Sequence, residues 1–223
     1  MSKRKDTIID SKKFFNMFKK YLRSLPNEAL DMIEMYTGGG GYLGNFLRYA
    51  RSGTPDNIIN KKNIPNIRFF NDLILNAPRI NVSFWVYRYT DSFYKTSNGP
   101  QGPEIFDPGF MSTTLDLESL QKLGWGDAKN SKLSKFLIPA GAPFLYLGPL
   151  SQVPEEEEVL LPIGSRFVEL ERNGNMRTYQ FISCRNCDEC SNDFSCLDSL
   201  SEEYRIEISK RPSKIELARS LLE

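Results

Sequence analysis

The chain has 223 residues, 40% of them hydrophobic and 26% charged, which is the composition of an ordinary soluble globular domain. Lysine and arginine total 29 against 28 aspartates and glutamates, so the net charge of +1 gives no electrostatic basis for nucleic acid or a membrane as partner. The sequence contains no histidine, which excludes Ser-His-Asp and Cys-His catalysis and any metal site that needs imidazole.

The N-terminal part, residues 1–80, predicts helices. Phe14, Phe18 and Leu22 recur at helical spacing, with lysines on the other side. Four helices are expected, at residues 14–22, 27–37, 42–53 and 67–75. No apolar run follows the first basic residues, so we expect no secretory signal and a cytoplasmic location, with delivery into a host cell as an effector left open.

The remaining part, residues 81–223, predicts mainly strands rich in aromatic and β-branched side chains. The expected strands are residues 82–90, 134–139, 144–149, 157–162, 165–171, 178–184 and 204–209, with one helix at 115–125. Helices followed by strands predict an α+β fold with a single domain, residues 1–223. Its N-terminal helices would pack on a split, mainly antiparallel β-sheet core.

Glycines at positions 39, 41 and 44 match the spacing G-x-G-x-x-G of dinucleotide-binding turns. That turn requires a strand before it and a helix after it. Here the preceding segment is predicted to be a helix, so a turn between two helices is the better interpretation.

Arg88 is the first candidate for function. In the predicted strand it shares a face with Val82, Phe84 and Val86, because side chains alternate along a strand. A guanidinium on an apolar face is costly unless an anion meets it. Arg88 could form an internal salt bridge, reach solvent at the end of the strand, or bind a phosphate, for which the planar guanidinium fork is well suited.

Three hydroxyls in a row, Ser112, Thr113 and Thr114, follow a strand-like stretch. Thr114 is expected to cap the next helix, with Asp116 in its first turn. Capping accounts for one hydroxyl and leaves the other two without an explanation.

Four glutamates at 155–158 run directly into Val-Leu-Leu-Pro. A charge run alone is usually a solvated loop. In a strand, however, Glu156 and Glu158 would share a face with Leu160, which places two carboxylates on one side of a core strand. Paired carboxylates are typical of sites that break glycosidic bonds through an oxocarbenium-like transition state.

All four cysteines fall within a predicted hairpin insertion, residues 184–196: Cys184, Cys187, Cys190 and Cys196. They could hold a structural Zn²⁺, form disulfides, or remain as free thiols or ligands of another metal. In each case a structural role is expected.

The order Arg88, Ser112-Thr113-Thr114 and Glu156-x-Glu158 resembles the R-S-E class of mono-ADP-ribosyltransferases. The segments NEALDMIEMYTGGGGYLGNFLRYA, FWVYRYT, FDPGFMSTT and FLIPAGAPFLYLGPLSQVPEEEEVLLPIGSRFVEL carry the resemblance over most of the chain. It departs where Thr114 replaces a second serine and where Tyr89 replaces a common glycine. The cysteine-rich segment is outside the pattern.

The resemblance implies a role for each matching residue, with NAD⁺ as substrate. Glu158 would stabilise the oxocarbenium ion, Ser112 would orient the carboxylate of Glu158, and Arg88 would bind NAD⁺ near its phosphates. Glu156 would face the acceptor, and a glutamate at that position tends to accompany arginine acceptors. Residues 148–155 match the loop that faces the acceptor. Further NAD⁺ contacts would come from Thr113, Thr114, Tyr42, Asn45 and Arg48.

The function implied is cleavage of NAD⁺ and transfer of ADP-ribose to a protein acceptor bearing an arginine, with automodification as a further option. Three alternatives remain at this point. The acceptor could be a nucleotide base or another residue type, which a Glu-x-Glu motif disfavours. The same site could serve an NAD⁺ glycohydrolase, or the fold could be a catalytically silent binding module.

Overall fold

The computed structural model describes residues 11–38, 64–90, 96–99, 102–107, 109–122, 132–148, 150–174 and 176–184. The α-helices in these ranges are α1 (Ser11–Arg23), α2 (Asn27–Thr37), α3 (Ile64–Asn76) and α4 (Leu117–Lys122). The predicted helix at 42–53 and the predicted strand at 204–209 lie outside the described residues. Of the helices just named, none is long and apolar enough to cross a membrane.

The strands of the described ranges pair in one sheet with the order β2-β3-β8-β9-β5-β1-β4-β7-β6. Their bounds are β1 Phe84–Thr90, β2 Thr96–Gly99, β3 Gly102–Asp107, β4 Met111–Thr114, β5 Lys132–Ile138, β6 Leu145–Tyr146, β7 Glu158–Leu161, β8 Ser165–Asn173 and β9 Met176–Cys184. Neighbours are antiparallel except β5 and β9, which run parallel. The α+β class with a mainly antiparallel sheet is confirmed.

The helices pack on the sheet through aromatic side chains. In α1, Phe14 and Phe18 are buried, as their spacing predicts, and the ring of Phe14 stacks on Phe144 with centroids 5.4 Å apart. In α3, Phe70 meets Phe110, the residue before β4, edge to face at 5.2 Å. These contacts fix where β4 and the approach to β6 lie beneath the helices.

Candidate active site

Arg88 lies near the end of β1, on the sheet face of the buried Phe84 and Val86. Its Nη1 donates a hydrogen bond of 2.7 Å to the carbonyl oxygen of Ser112. Its Nε is buried without a hydrogen-bond partner among the described residues. The predicted strand face is therefore present from Phe84 onward, whereas Val82 precedes the strand and is 41% exposed.

β4 lies between β1 and β7, with Thr114 opposite both Tyr87 and Glu158. The hydroxyl of Ser112 hydrogen-bonds the carboxylate of Glu158. The buried hydroxyl of Thr113 donates to the carbonyl oxygen of Val159 at 2.7 Å. The triple hydroxyl run is thus a short strand, in which two consecutive hydroxyls bind two consecutive residues of β7.

Thr114 does not cap α4, which corrects the sequence-based expectation. The cap is Asp116, whose Oδ1 accepts from the backbone N–H of Glu118 at 2.9 Å and whose Oδ2 accepts from the hydroxyl of Ser119 at 2.7 Å. Thr114 instead donates to the carbonyl oxygen of Glu156. The difference arises because β4 continues through Thr114, so the helix begins only at Leu117.

Glu158 begins β7 and is 5% exposed. Burial raises the pKa of its carboxyl to about 7, opposing the hydrogen bond from Ser112, which lowers it. The charge of Glu156 raises that pKa further and the guanidinium of Arg88 lowers it. A buried carboxylate with a nearby guanidinium has little water to screen it, so its charge acts strongly on a cation placed beside it.

Glu156 reaches the same site by a route that the alternation argument did not predict. It ends a 3₁₀ helix, Pro154–Glu156, and the following Glu157 adopts a left-handed conformation with φ 46° and ψ 45°. The expectation that Glu156 and Glu158 share one strand face is therefore wrong, because β7 starts only at Glu158. Burial and the neighbouring Glu155 raise the pKa of the Glu156 carboxyl.

These side chains line a cavity of about 370 Å³, a volume typical of small-molecule pockets. The residues that the sequence predicted and that line it are Arg88, Ser112, Thr113, Thr114, Glu156 and Glu158. The arrangement combines one cation and two carboxylates with three hydroxyls. It fits a ligand that carries both an anionic group and a centre of developing positive charge.

Five further residues line the cavity that sequence reasoning did not select: Tyr36, Thr37, Tyr87, Tyr89 and Leu120. The signal for the first two was available, since they stand in the Tyr-Thr-Gly segment at the end of α2. The two other tyrosines flank Arg88 in β1, where the alternation of side chains along a strand would place them on the opposite face.

A sequence model of the ADP-ribosyltransferase exoenzyme family matches residues 15–172 of the chain. The chain belongs to this family. It is therefore an NAD⁺-dependent mono-ADP-ribosyltransferase, as the order of its motifs predicted. A comparison with curated protein sequences gave no significant match.

Solved structures of ADP-ribosyltransferases share the fold. Plx2a, a toxin from Paenibacillus larvae, is 20% identical, covers 81% of this chain and all of its own length, and superposes with a TM-score of 0.59. C3stau2 from S. aureus with NAD is 16% identical over 82% of this chain and 99% of its own, with a TM-score of 0.58. Vis from Vibrio splendidus in complex with agmatine is 14% identical, covers 83% of this chain and 91% of its own length, and superposes with a TM-score of 0.51.

Some predicted residues of this ADP-ribosyltransferase lie outside the described ranges. They are Tyr42, Asn45, Arg48, Cys187, Cys190 and Cys196. Cys184, at the end of β9, is buried and disulfide-bonded. The disulfide hypothesis is thus supported at Cys184 and the zinc hypothesis is not, and the described residues hold no group of three or more candidate metal ligands.

Proposed function

We propose that this ADP-ribosyltransferase modifies arginine side chains of a protein, with Arg88, Ser112, Glu156 and Glu158 as the reacting site. The observation that carries the proposal is the buried Glu158 carboxylate, hydrogen-bonded by Ser112, in one cavity with Glu156 and Arg88. Transfer to a guanidinium needs a proton acceptor in addition to the groups that cleave NAD⁺, and the second carboxylate, Glu156, would supply it.

The first step is cleavage of the bond between C1′ of the ribose and the nicotinamide nitrogen. Both bonding electrons leave with nicotinamide, which departs as a neutral molecule, and positive charge develops on the ribose. The ionised carboxylate of Glu158 stabilises that charge from a desolvated position, where the interaction is stronger than in water. Ser112 orients the carboxylate and favours its ionised form.

Arg88 supports NAD⁺ binding through its charge and its unused donor. One terminal nitrogen is committed to the Ser112 carbonyl, which aims the rest of the guanidinium at the cavity. A buried Nε without a partner among the described residues is unfavourable, and a phosphate oxygen of NAD⁺ would satisfy it. Thr113, Thr114 and, outside the described ranges, Tyr42, Asn45 and Arg48 remain proposed NAD⁺ contacts.

The second step is capture of the ribosyl cation by a guanidine nitrogen. A bond forms between that nitrogen and C1′, and the proton that the nitrogen loses passes to Glu156. Burial raises the pKa of Glu156, which makes it a better proton acceptor than a solvent-exposed glutamate. The fold neighbour Vis has been crystallised with agmatine, a small guanidine, which supports a guanidinium as acceptor.

We infer further that the acceptor arginine belongs to a target protein and that the enzyme acts as an effector inside a host cell. The toxins that share its fold support this role. Modification of the enzyme's own arginines is a second route, which mass spectrometry of the enzyme after incubation with NAD⁺ would detect.

The test is incubation of the purified protein with labelled NAD⁺ and agmatine. Wild type is expected to label agmatine, and Glu158→Gln is expected to lose both labelling and nicotinamide release. Glu171→Gln is the matched control, because Glu171 is an exposed glutamate on β8. This control should behave as wild type.

Each alternative function predicts a different result. An NAD⁺ glycohydrolase would release nicotinamide and free ADP-ribose without labelling agmatine. A silent binding module would consume no NAD⁺, and Glu158→Gln would then match wild type.

A further inference from the structure

Glu157, between the two carboxylates of the site, has an unusual backbone conformation. It is the one non-glycine residue with positive φ among the described residues. A left-handed conformation is unfavourable for a residue with a side chain and persists where surrounding contacts impose it. At this position it ends the 3₁₀ helix and turns the chain into β7.

The side chain of Glu157 is bound by a buried tyrosine. The hydroxyl of Tyr146 donates a hydrogen bond to the Glu157 carboxylate. Burial, together with Glu157, raises the pKa of Tyr146 above its ordinary value, so the hydroxyl stays protonated and remains a donor. Tyr146 is 2% exposed, and its ring meets Phe14 and Phe18 of α1 edge to face.

Gly148 provides the space that this contact needs. A Cβ at position 148 would lie 2.5 Å from the hydroxyl oxygen of Tyr146, too close for any residue but glycine unless the ring moved. The tyrosine hydroxyl therefore passes directly over the backbone of the loop to reach Glu157. Helix α1, Tyr146 and Glu157 form a continuous chain of contacts that ends between the two carboxylates.

The positions of the two carboxylates, Glu156 and Glu158, depend to different degrees on these contacts of Tyr146 and Glu157. Glu158 is fixed by strand pairing on both sides, since its carbonyl accepts from Leu147 N–H at 2.9 Å and its residue pairs with Thr114. Glu156 has no strand partner in the described sheet. Its direction follows from the 3₁₀ turn, from Thr114 at its carbonyl and from the left-handed Glu157 that comes next.

We propose that Tyr146 and Glu157 are positioning residues for the acceptor step, which set the direction of Glu156 and leave the cleavage of NAD⁺ by Glu158 intact. The inference rests on the proposed function, because it assigns Glu156 to the acceptor. The Tyr146–Glu157 hydrogen bond thereby determines how the reaction divides between transfer and hydrolysis. Without it, Glu156 loses its fixed direction, and water captures the ribosyl cation in place of the guanidine.

Two substitutions remove the contact in different ways, and one preserves it. Tyr146→Phe deletes only the hydroxyl. Glu157→Val deletes the acceptor and adds a β-branched side chain that disfavours positive φ. Glu157→Gln keeps an oxygen that can accept from Tyr146. The matched control is Tyr21→Phe, which deletes a tyrosine hydroxyl bound to the Leu73 carbonyl between α1 and α3.

The measurement is kcat and KM for transfer to agmatine, and separately the rate of NAD⁺ hydrolysis without acceptor. For Tyr146→Phe and Glu157→Val we expect kcat/KM for agmatine to fall about ten- to a hundredfold, with hydrolysis within about twofold of wild type. Glu157→Gln and Tyr21→Phe should keep the wild-type ratio of transfer to hydrolysis. A role in folding alone would lower both activities together.

Three outcomes overturn the proposal. A parallel loss of transfer and hydrolysis in both disrupting variants would mean that the contact only stabilises the fold. An unchanged ratio in Glu157→Val, which alters a half-buried side chain, would mean that the turn does not position Glu156, whatever the folding of Tyr146→Phe. If wild type itself leaves agmatine unlabelled while releasing nicotinamide, the arginine acceptor is wrong, and this inference falls with it.

Discussion

The two sides of the cavity are built differently. On the sheet side, Arg88, Ser112 and Glu158 come from the adjacent strands β1, β4 and β7, so backbone pairing fixes their relative positions. On the loop side, Glu156 comes from residues 147–148 and 150–157, which form turns and one 3₁₀ helix. That loop also meets the end of α2, where Gln152 N–H donates to the Thr37 hydroxyl at 3.4 Å.

This difference corresponds to the two steps of the proposed reaction. Charge stabilisation at Glu158 requires a rigid, desolvated carboxylate, and strands that pair on both sides provide it. Acceptor recognition requires a surface that can suit one target, and loops tolerate such variation better than paired strands. Substitutions on the sheet side should therefore affect both steps, and substitutions on the loop side should affect transfer alone.

Of the substitutions considered, Glu156→Gln is expected to have the largest difference between its effect on transfer and its effect on NAD⁺ hydrolysis. Loss of the proton acceptor should lower kcat/KM for agmatine by about a hundredfold or more, whereas NAD⁺ hydrolysis should continue. The check is the ratio of labelled agmatine to free ADP-ribose, with Glu171→Gln as control. Equal losses of both products would show that the loop and the sheet do not act separately.

Ser112→Ala tests the sheet side. It removes the hydroxyl that orients Glu158, so hydrolysis and transfer should fall together, by roughly ten- to a hundredfold. Because the Ser112 hydrogen bond lowers the pKa of Glu158, the acidic limb of the pH profile of kcat/KM for NAD⁺ should also move to higher pH. Ser183→Ala, at a half-buried position on β9, should change neither quantity.

The sequence predicted the sheet side better than the loop side, for physical reasons. Hydrophobic alternation around Phe84 and Val86 placed Arg88 on the correct face, because β1 is a regular strand. The strands β2 and β3 were not predicted, since their segments TSNG and GPEIFD are rich in residues that are rare in strands. In β3 the charged Glu104 is buried and forms an ion pair with Arg166. This tertiary contact leaves no local pattern in the sequence.

On the loop side, the alternation of side chains along a strand selected residues that do line the cavity, although they do not share a strand face. Alternation selected Glu156 and Glu158 as partners, and both line the cavity. The geometry that brings them together is the left-handed Glu157, which depends on Tyr146 eleven residues earlier. A positive φ at a glutamate has no signal in a single sequence, because propensity would assign that conformation to glycine or asparagine.

The burial of Glu158 should make the stability of the protein depend on pH. Its folded-state pKa of about 7 lies above the ordinary glutamate value of 4.5, so the folded protein binds this proton more tightly than the unfolded chain does. The resulting stabilisation is fully present below pH 4.5 and is lost as the pH rises through about 7. The full difference is on the order of 3 kcal/mol.

Glu158→Gln removes that dependence. The free energy of unfolding of the variant, minus that of wild type, should increase by roughly 1–3 kcal/mol between pH 5 and pH 8. Urea denaturation at the two pH values measures it, with Glu171→Gln as the exposed control. A difference that stays constant with pH would mean that burial does not raise the pKa of Glu158 in the folded protein.

Thr113→Val should have the smallest effect of these substitutions. It tests whether backbone pairing on the sheet side keeps the site in place when a side-chain hydrogen bond is lost. The Thr113 hydroxyl is buried and binds the Val159 carbonyl between β4 and β7, so its loss should destabilise the protein by about 1 kcal/mol. Valine keeps the shape and the strand propensity, and backbone pairing still aligns Ser112 with Leu160. The ratio of transfer to hydrolysis should therefore stay at the wild-type value while the denaturation midpoint falls. A shift in that ratio would mean that small movements of β7 also displace Glu156. The sheet side and the loop side would then not act separately.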